Sequence, residues 1–453
     1  GHVSWHDMPK MPVDRHMKWV HGFEVHCNHW PKTKRLIHEA NTSDFVAFLG
    51  YEWHSSQFGD YCLIFPDDKQ GLFLPDHVEK LLQFAEHQGA LAIPHHVAYK
   101  LGWRGANFAH FRAKTSPVVE IFSEHGCTES DRAAFPMVRH SNGGRSTSNT
   151  VAVQLAKGLR FGFVASSDDH RGYPGAYGEG LLGVWANDLS RESLLEAVRE
   201  RRTYAASGDR IVLEVTVNGQ PMGSELPASA DRQIDIRVES QDSIAMIELI
   251  RNGRVMERHF PEDHIEQPVS LPGRAKCRIQ YGWGPWAALD LGRTCHWDMS
   301  VRISGGTFLR AIPCFQSGPY EEKRRDRLRV VSAHEIQLRS FTSRVECYAE
   351  DPTKSVVLEM DAGPEADLTV QLREPSQRTV STSLRELIED NVVHFTGVFT
   401  SESLIIQRLV GPDEYSATVR WTDRRAGAPD DWYYVRVTQH NGHLAWSSPI
   451  WVG

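Results

Sequence analysis

No two cysteines in this chain form a C-x-x-C pair, and the total of seven is odd: Cys27, Cys62, Cys127, Cys277, Cys295, Cys314 and Cys347. That count fits unpaired thiols in a reducing compartment and argues against a disulfide framework or a cysteine-held zinc. No run approaches the roughly 20 apolar residues a membrane helix needs, so no membrane partner is expected. Fifty Lys and Arg stand against 58 Asp and Glu, a net charge of −8. With no sizeable basic cluster, this argues against nucleic acid, and Lys323-Arg324-Arg325 reads as solvated loop. Internal repeats and low-complexity linkers are also lacking. The chain opens on Gly1 without a methionine or a signal-like apolar run, and the expected location is cytoplasmic.

What is present is a chain of 453 residues, too long for one ordinary core, so two or three domains are expected. Histidine is plentiful at 23, much of it in the first 170 residues. From about 45 to 205, strand and helix signals alternate. Phe45–Leu49 reads as a strand ending at Gly50-Tyr51-Glu52-Trp53-His54, and Tyr61–Phe65 as the next apolar segment. Asp76 reads as the N-cap of a helix whose apolar face is Val78, Leu81, Leu82 and Ala85, stopped at Gly89. Strands follow at Ala90–Ile93, before Pro94-His95-His96, and at Pro117–Phe122, with Glu120 inside. Asn149 reads as a helix cap, Phe161–Ala165 as a strand, and Ser190 as the cap of a helix burying Leu194, Leu195 and Val198. Such units with short connections imply a parallel α/β architecture with chemistry at the strands' C-terminal ends.

After Ser207-Gly208 the pattern changes. Ile211–Val217 alternates and meets Asn218-Gly219, a hairpin signal; Ile234–Val238, Ala245–Ile250, Asn252-Gly253, Trp432–Val437 and Asn441-Gly442 continue the style. A short helix is expected at Ser383–Ile388. This half reads as mainly antiparallel and sandwich-like. Trp283 and Trp286 allow sugar stacking, with core packing as their ordinary use.

The tetrad Ser167-Asp168-Asp169-His170 follows the Phe161–Ala165 strand. An Asp and a His two apart project to one side of an extended segment, and both suit a divalent cation. Alone, the ordinary alternative is a Ser- and Asp-rich turn. The pattern gains weight because Glu52, His95 and His96, and Glu120 or Glu124 stand at or near the ends of three other expected strands. Arg171 could neutralise an anionic substrate or make a surface ion pair; Trp103-Arg104-Gly105 and Tyr173-Pro174-Gly175 could wall a pocket or simply pack as loops.

Several stretches carry a specific likeness: Gly50-Tyr51-Glu52-Trp53, Gly59-Asp60, Pro94-His95-His96, Glu120–Gly126, Ser167–Gly172, Arg202-Thr203-Tyr204-Ala205, Tyr434–Gln439 and Ala445–Trp451. On these the chain resembles the polymerase-and-histidinol-phosphatase (PHP) superfamily, and more closely a PHP-like branch known only as a domain of unknown function. The resemblance covers nearly the whole chain. It implies an α/β fold: a distorted (β/α)7 barrel over residues 1–207, then a mainly antiparallel β, sandwich-like region over 208–453. It also implies two or three divalent metal ions (Mn, Fe or Zn) and hydrolysis of phosphate esters by a metal-activated water.

Residue by residue, Glu52 resembles the carboxylate bridging two metals, with a catalytic role. One of His95 and His96 resembles the strand-end ligand, the other then supporting that ligand from behind or facing substrate. Asp168 and His170 resemble the closing metal-binding pair, and one of Glu120 and Glu124 a ligand or base. The family opens with a His-x-His strand and later an Asp-His pair. No His-x-His occurs here, so the barrel is expected to be incomplete at its N-terminus, with His2 as the remnant of the Asp-His ligand. His26 and His29 are alternative ligands, but surface or packing roles are expected for them, since spacing alone is not specific.

The expected function is a metal-dependent hydrolase, first a phosphoesterase acting on a small anionic molecule. Hydrolysis of C–N or carboxyl ester bonds is the second reading, and a non-catalytic binding or assembly protein on a degenerate barrel the third. A homo-oligomer, or association with the missing N-terminal segment, is the expected partnership.

Overall fold

A computed structural model describes residues 2–137, 143–170, 172, 174–266, 269–282, 294–315, 325–343, 353–398, 401–424 and 430–453. Arg171, Tyr173, Trp283, Trp286 and Cys347 lie outside the described residues. The six described cysteines form no disulfide with one another. Among the described residues no helix is long and apolar enough to cross a membrane.

The expected (β/α)7, TIM-like barrel is not there: strands make up 44% of the structure against 18% helix, arranged in several sheets that close no barrel. The first sheet shows why. It has four strands in sequential order: β1 (His2–Trp5), β2 (Gly50–His54), β3 (Asp60–Ile64) and β4 (Leu91–His95). β1 runs parallel to β2, but β2–β3 and β3–β4 are antiparallel. Only residues 55–59 separate β2 from β3, and a parallel crossover needs on the order of a dozen residues or more. The apolar segments were visible in the sequence; the hairpin between two of them was not.

Boundaries also move. The strand expected at Phe45–Leu49 forms instead at Gly50–His54, so Glu52 and His54 lie within it. Helix α1 (Val13–Ala40) buries only Trp30 fully, and His26 and His29 are exposed on it. Helix α2 (Val78–His87) packs Val78, Leu81, Leu82 and Ala85 against Leu49, Tyr51, Trp53, Tyr61 and Leu63. Its N-cap is His77, whose ring accepts from Glu79 N, rather than Asp76, which is exposed and pairs with Lys80.

A second sheet joins β5 (Val118–Ser123), β6 (Gly126–Cys127) and β7 (Gly162–Ala165), with β5 and β7 parallel. Helix α3 (Val151–Ala156) is capped at Thr150, not at Asn149; the Asn149 amide instead donates to the carbonyls of Val97, Tyr99 and Ala106. Helix α4 (Arg191–Arg199) starts as expected, with the Ser190 hydroxyl accepting from Ser193 N.

The sheet that follows spans the expected 207/208 boundary. β8 (Leu181–Val184) pairs with β9 (Thr203–Ala206), and β9 pairs on its other side with Leu444–Ser447. A further sheet, built on Val212–Val217, Arg232–Glu239 and Ser416–Asp423, faces it. Leu213, Val215, Ile234 and Ile236 of one pack with Ile247, Leu249, Val435 and Val437 of the other, as in a sandwich. The Asn218-Gly219 and Asn252-Gly253 turns have the positive φ angles their hairpins require. The remaining large sheet is dominated by two long strands, Thr294–Cys314 and Thr353–Glu374, paired antiparallel through register shifts at Ser304/Gly306 and Phe308/Arg310. The short helix near 383 is Leu384–Glu389, with a reciprocal Ser383–Glu386 cap.

Candidate metal centre

The ends of the first two sheets bring carboxylates and imidazoles together. Alternation puts Glu52 and His54 on one face of β2. Because β3 is antiparallel, its first residue, Asp60, lies beside the end of β2 and directly opposite His95, the last residue of β4. Gly59 makes this approach possible: its φ is +85°, and a Cβ there would meet Ala106 Cα at 2.6 Å. Asp7 fixes the same turn by accepting from Ser56 N at 2.9 Å and Gln57 N at 2.7 Å. β5 supplies Glu120, the tight β5–β6 hairpin supplies Glu124 and His125 at its tip, and the chain beyond β7 supplies Asp168 and His170.

His95 stands at the middle. Its Nδ1 lies 2.8 Å from Glu120 Oε2, and its Nε2 lies 2.9 Å from Asp168 Oδ2 and 3.9 Å from Glu52 Oε1. Glu120 is held by two further protein donors, for Oε1 accepts from His96 N at 3.2 Å and Oε2 from Ser166 Oγ at 3.1 Å. Asp168 Oδ2 is 3.1 Å from His125 Nε2, and the Tyr99 hydroxyl is 2.8 Å from His125 Nδ1. His96 Nε2 is 3.1 Å from Asp60 Oδ2, while its buried Nδ1 has no hydrogen-bond partner among the described residues. His54 Nε2 lies 3.2 Å from Glu52 and 3.5 Å from Asp60. At the more exposed rim His170 pairs with Glu124. Two of these residues have left-handed backbone, His96 at φ +32° and Asp168 at φ +52°, the kind of strain that concentrates at functional sites.

The cluster is deeply buried. Asp60 and His96 are 0% exposed, His95 1%, Glu120 3% and Glu52 7%. Burying this many carboxylates is costly unless cations answer them. Burial opposes a charge on His95, but Glu120 and Asp168 raise its pKa well above the usual value. Burial and the neighbouring charges of His95 and Arg104 push His96 the other way, well below it. Asp60 and Asp168 are both held far below the ordinary carboxylate range despite burial, Asp60 chiefly by Arg104 and His54, Asp168 chiefly by His95 and His125. The hydrogen bond to Glu124 lifts His170 to about 9.

Among the described residues, three groups each offer ligand atoms within 4.8 Å of one another: His95–His96–His125, Glu52–Asp60–His96 and Glu124–Asp168–His170. This donor set, together with the orphaned His96 Nδ1, fits a divalent cation of the Mn, Fe or Zn type.

Of the residues singled out in the sequence, Glu52, His95, His96, Glu120 and Asp168 converge, and His170 joins them at the rim. Glu120 stands behind His95 as its partner. His2 lies on β1 opposite Glu52 in the strand register. Arg171 cannot be placed, since it falls outside the described residues. Asp60, His54 and His125 have no ligand or catalytic role in the sequence, and Arg104 appears there only in a loop that could wall a pocket. The signals were present in Gly59-Asp60 and in the His next to Glu124, but a parallel-strand expectation directs attention to strand ends and away from the start of β3.

A family model described as a protein of unknown function, DUF3604, matches residues 176–225. An uncharacterized protein of Chlamydia muridarum is 30% identical over 281 residues, covering 53% of this chain and 43% of that protein. One from Chlamydia trachomatis matches with the same identity and coverage. Another from Chlamydia pneumoniae is 33% identical over 202 residues, covering 41% of this chain and 32% of that protein. The chain therefore spans less than half the length of these relatives. Among solved structures, a DUF4466 family protein from Parabacteroides merdae aligns with a TM-score of 0.09 and 3% identity, over 41% of this chain and 48% of that one. Likeness at that level carries no argument about fold.

Proposed function

We propose that this chain is a metal-dependent hydrolase and that phosphate esters are its substrates. The observation that carries the proposal is the convergence of Glu52, His95, His96, His125 and Asp168, delivered by four separate segments into one cluster that is buried at Glu52, His95 and His96 and half-buried at His125 and Asp168. A surface ion-pair network has no need of burial, of an orphaned imidazole nitrogen or of left-handed backbone at two of its members. His95, His125 and Asp168 are the residues that would hold a cation, with Glu52 and His96 beside them. When bound, a divalent ion supplies Lewis acidity and brings a water's pKa towards neutrality.

The protein's own residues do the rest. Glu120 orients His95 through Nδ1 and leaves Nε2 directed at the cluster, the arrangement that fixes a metal-binding histidine's tautomer. Tyr99 does the same for His125. Glu124 and His170 line the more exposed rim, where a substrate has access. The preference for a phosphorus centre rests on the PHP resemblance set out above, since Lewis-acid chemistry serves carbonyl centres as well.

Metal analysis of the purified protein, with hydrolysis of a generic aryl phosphate and of a panel of carboxyl esters and amides, tests the proposal. Bound metal with phosphate release supports it. Turnover of the ester or amide substrates alone replaces phosphate by carbon as the reacting centre, and protein that binds no divalent ion refutes the metal site.

A further inference from the structure

One cation of the cluster is covalently part of the chain. Asp60 Oδ2 accepts from Arg104 Nε at 2.8 Å and from Arg104 Nη2, while His96 Nε2 lies 3.1 Å away and His54 Nε2 3.5 Å away. Its other oxygen accepts from Ser55 N at 3.0 Å. A carboxylate oxygen has two lone pairs, so Oδ2 already serves its full complement of donors.

The loop that delivers Arg104 is built for this contact. Arg104 has φ +68°, and its amide donates to Ser56 O at 3.0 Å, across from the turn that Asp60 ends. Gly105 follows, where a Cβ would lie 1.9 Å from Tyr99 O. The guanidinium also lies over the Trp5 ring at 5.4 Å, a second contact that favours its charge. Gly59 and Ala106 touch backbone to backbone, which locks this loop against the start of β3.

We infer that the Arg104 guanidinium takes the place of a metal ion at the Glu52–Asp60–His96 corner, so that divalent metal occupies only the corner formed by His95, His125 and Asp168. The inference rests on the metal-site reading above and sharpens it: Asp60 is an ion-pair partner rather than a ligand. A divalent ion at Asp60 has to displace the guanidinium or sit against it, and like charges at contact distance in a buried site repel strongly.

The test is the number and place of Mn2+ ions bound, read by elemental analysis, by calorimetric titration with Mn2+ alone and by anomalous scattering from Mn2+-soaked crystals. In the wild type, anomalous density is expected beside His95, His125 and Asp168, with Arg104 still on Asp60. Arg104→Gln is expected to take up one further Mn2+ per chain, whereas Arg104→Lys keeps the wild-type number. Asp60→Asn should bind the wild-type number too, because no metal is lost with it. Density bonded to Asp60 in the wild type, or loss of one Mn2+ in Asp60→Asn, overturns the inference while leaving a metal site intact. Wild-type protein that binds no Mn2+ overturns the metal site and this inference together. The wild-type crystal decides the matter even if a variant fails to fold.

Discussion

His95 is gripped by Glu120 on one side of its ring and faces Asp168 on the other, at 2.8 Å and 2.9 Å. A bound metal takes the place of the proton on Nε2, which leaves the imidazole one N–H, so the two nitrogens do different work. With Nδ1–H donating to Glu120, Nε2 is the lone-pair nitrogen a metal needs. Glu120→Gln reverses the polarity available at that contact, because the amide can present a donor to Nδ1. Metal affinity is expected to fall about 10–100-fold, the usual cost of losing such a partner, with the fold retained. Titration calorimetry with Mn2+ and far-UV circular dichroism measure both. Unchanged affinity would show that Glu120 has no part in orienting His95.

Asp209 joins the segment after the site to the β-rich half. It is 0% exposed and accepts from Tyr177 Oη at 2.8 Å, and from Arg278 Nη2, Gln439 Nε2 and Asn441 Nδ2 at 2.7 Å each. Burial opposes its charge, but Arg278 and His443 hold its pKa below the ordinary value. The folded value therefore lies beneath the unfolded one, about 3.9. The stabilisation is complete above that pH and fades as pH falls through the folded value. Asp209→Asn should cost about 3–5 kcal/mol at neutral pH by leaving Arg278 short of its main partner, and the gap to wild type should narrow below pH about 4. Urea denaturation across pH 3–7 measures this, and a gap independent of pH would contradict it.

Local chemistry was the legible part of this sequence. The Asn-Gly hairpins, the Ser190 and Ser383 caps and the apolar stripe of α2 all form where their residues require, because each depends on neighbours close in sequence. The barrel expectation failed on a long-range question, the direction in which β3 returns. Its answer lay in the short Ser55–Gly59 connection and in a glycine packed against Ala106. The same error hid Asp60, since a residue that opens a strand reaches the site only when that strand is antiparallel. His95 and Asp168 were legible because they end or follow strands whichever way the neighbours run, and Glu52 because it lies close to the end of one.

Glu129 ties the hairpin bearing His125 to the C-terminal strand Asp431–Gln439. Buried at 2% exposure, it accepts from Tyr434 Oη at 2.7 Å, Arg436 Nη1 at 2.8 Å and Trp446 Nε1 at 3.0 Å. Tyr434→Phe removes one of three donors to a buried carboxylate and is expected to cost about 1–3 kcal/mol. Because Glu129 lies just beyond the His125 hairpin, metal affinity should fall with stability. Thermal denaturation with and without Mn2+ separates the two: a smaller metal-induced rise in Tm marks the loss at the site, and an undiminished rise limits Tyr434 to stability.

Leu82 is fully buried between α2 and the first sheet. Leu82→Ala should destabilise the protein by about 2–5 kcal/mol through lost burial and the cavity left behind. Denaturant titration checks the value, and a change under about 1 kcal/mol would mean that the helix repacks freely over the sheet.

The most direct measurement is the metal content of the protein at equilibrium with Mn2+ or Zn2+, compared between wild type and Asp168→Asn. A metal centre at His95, His125 and Asp168 predicts tightly held metal in the wild type that is lost or strongly weakened in a folded Asp168→Asn. Equal metal content in the two, or none in the wild type, would contradict it.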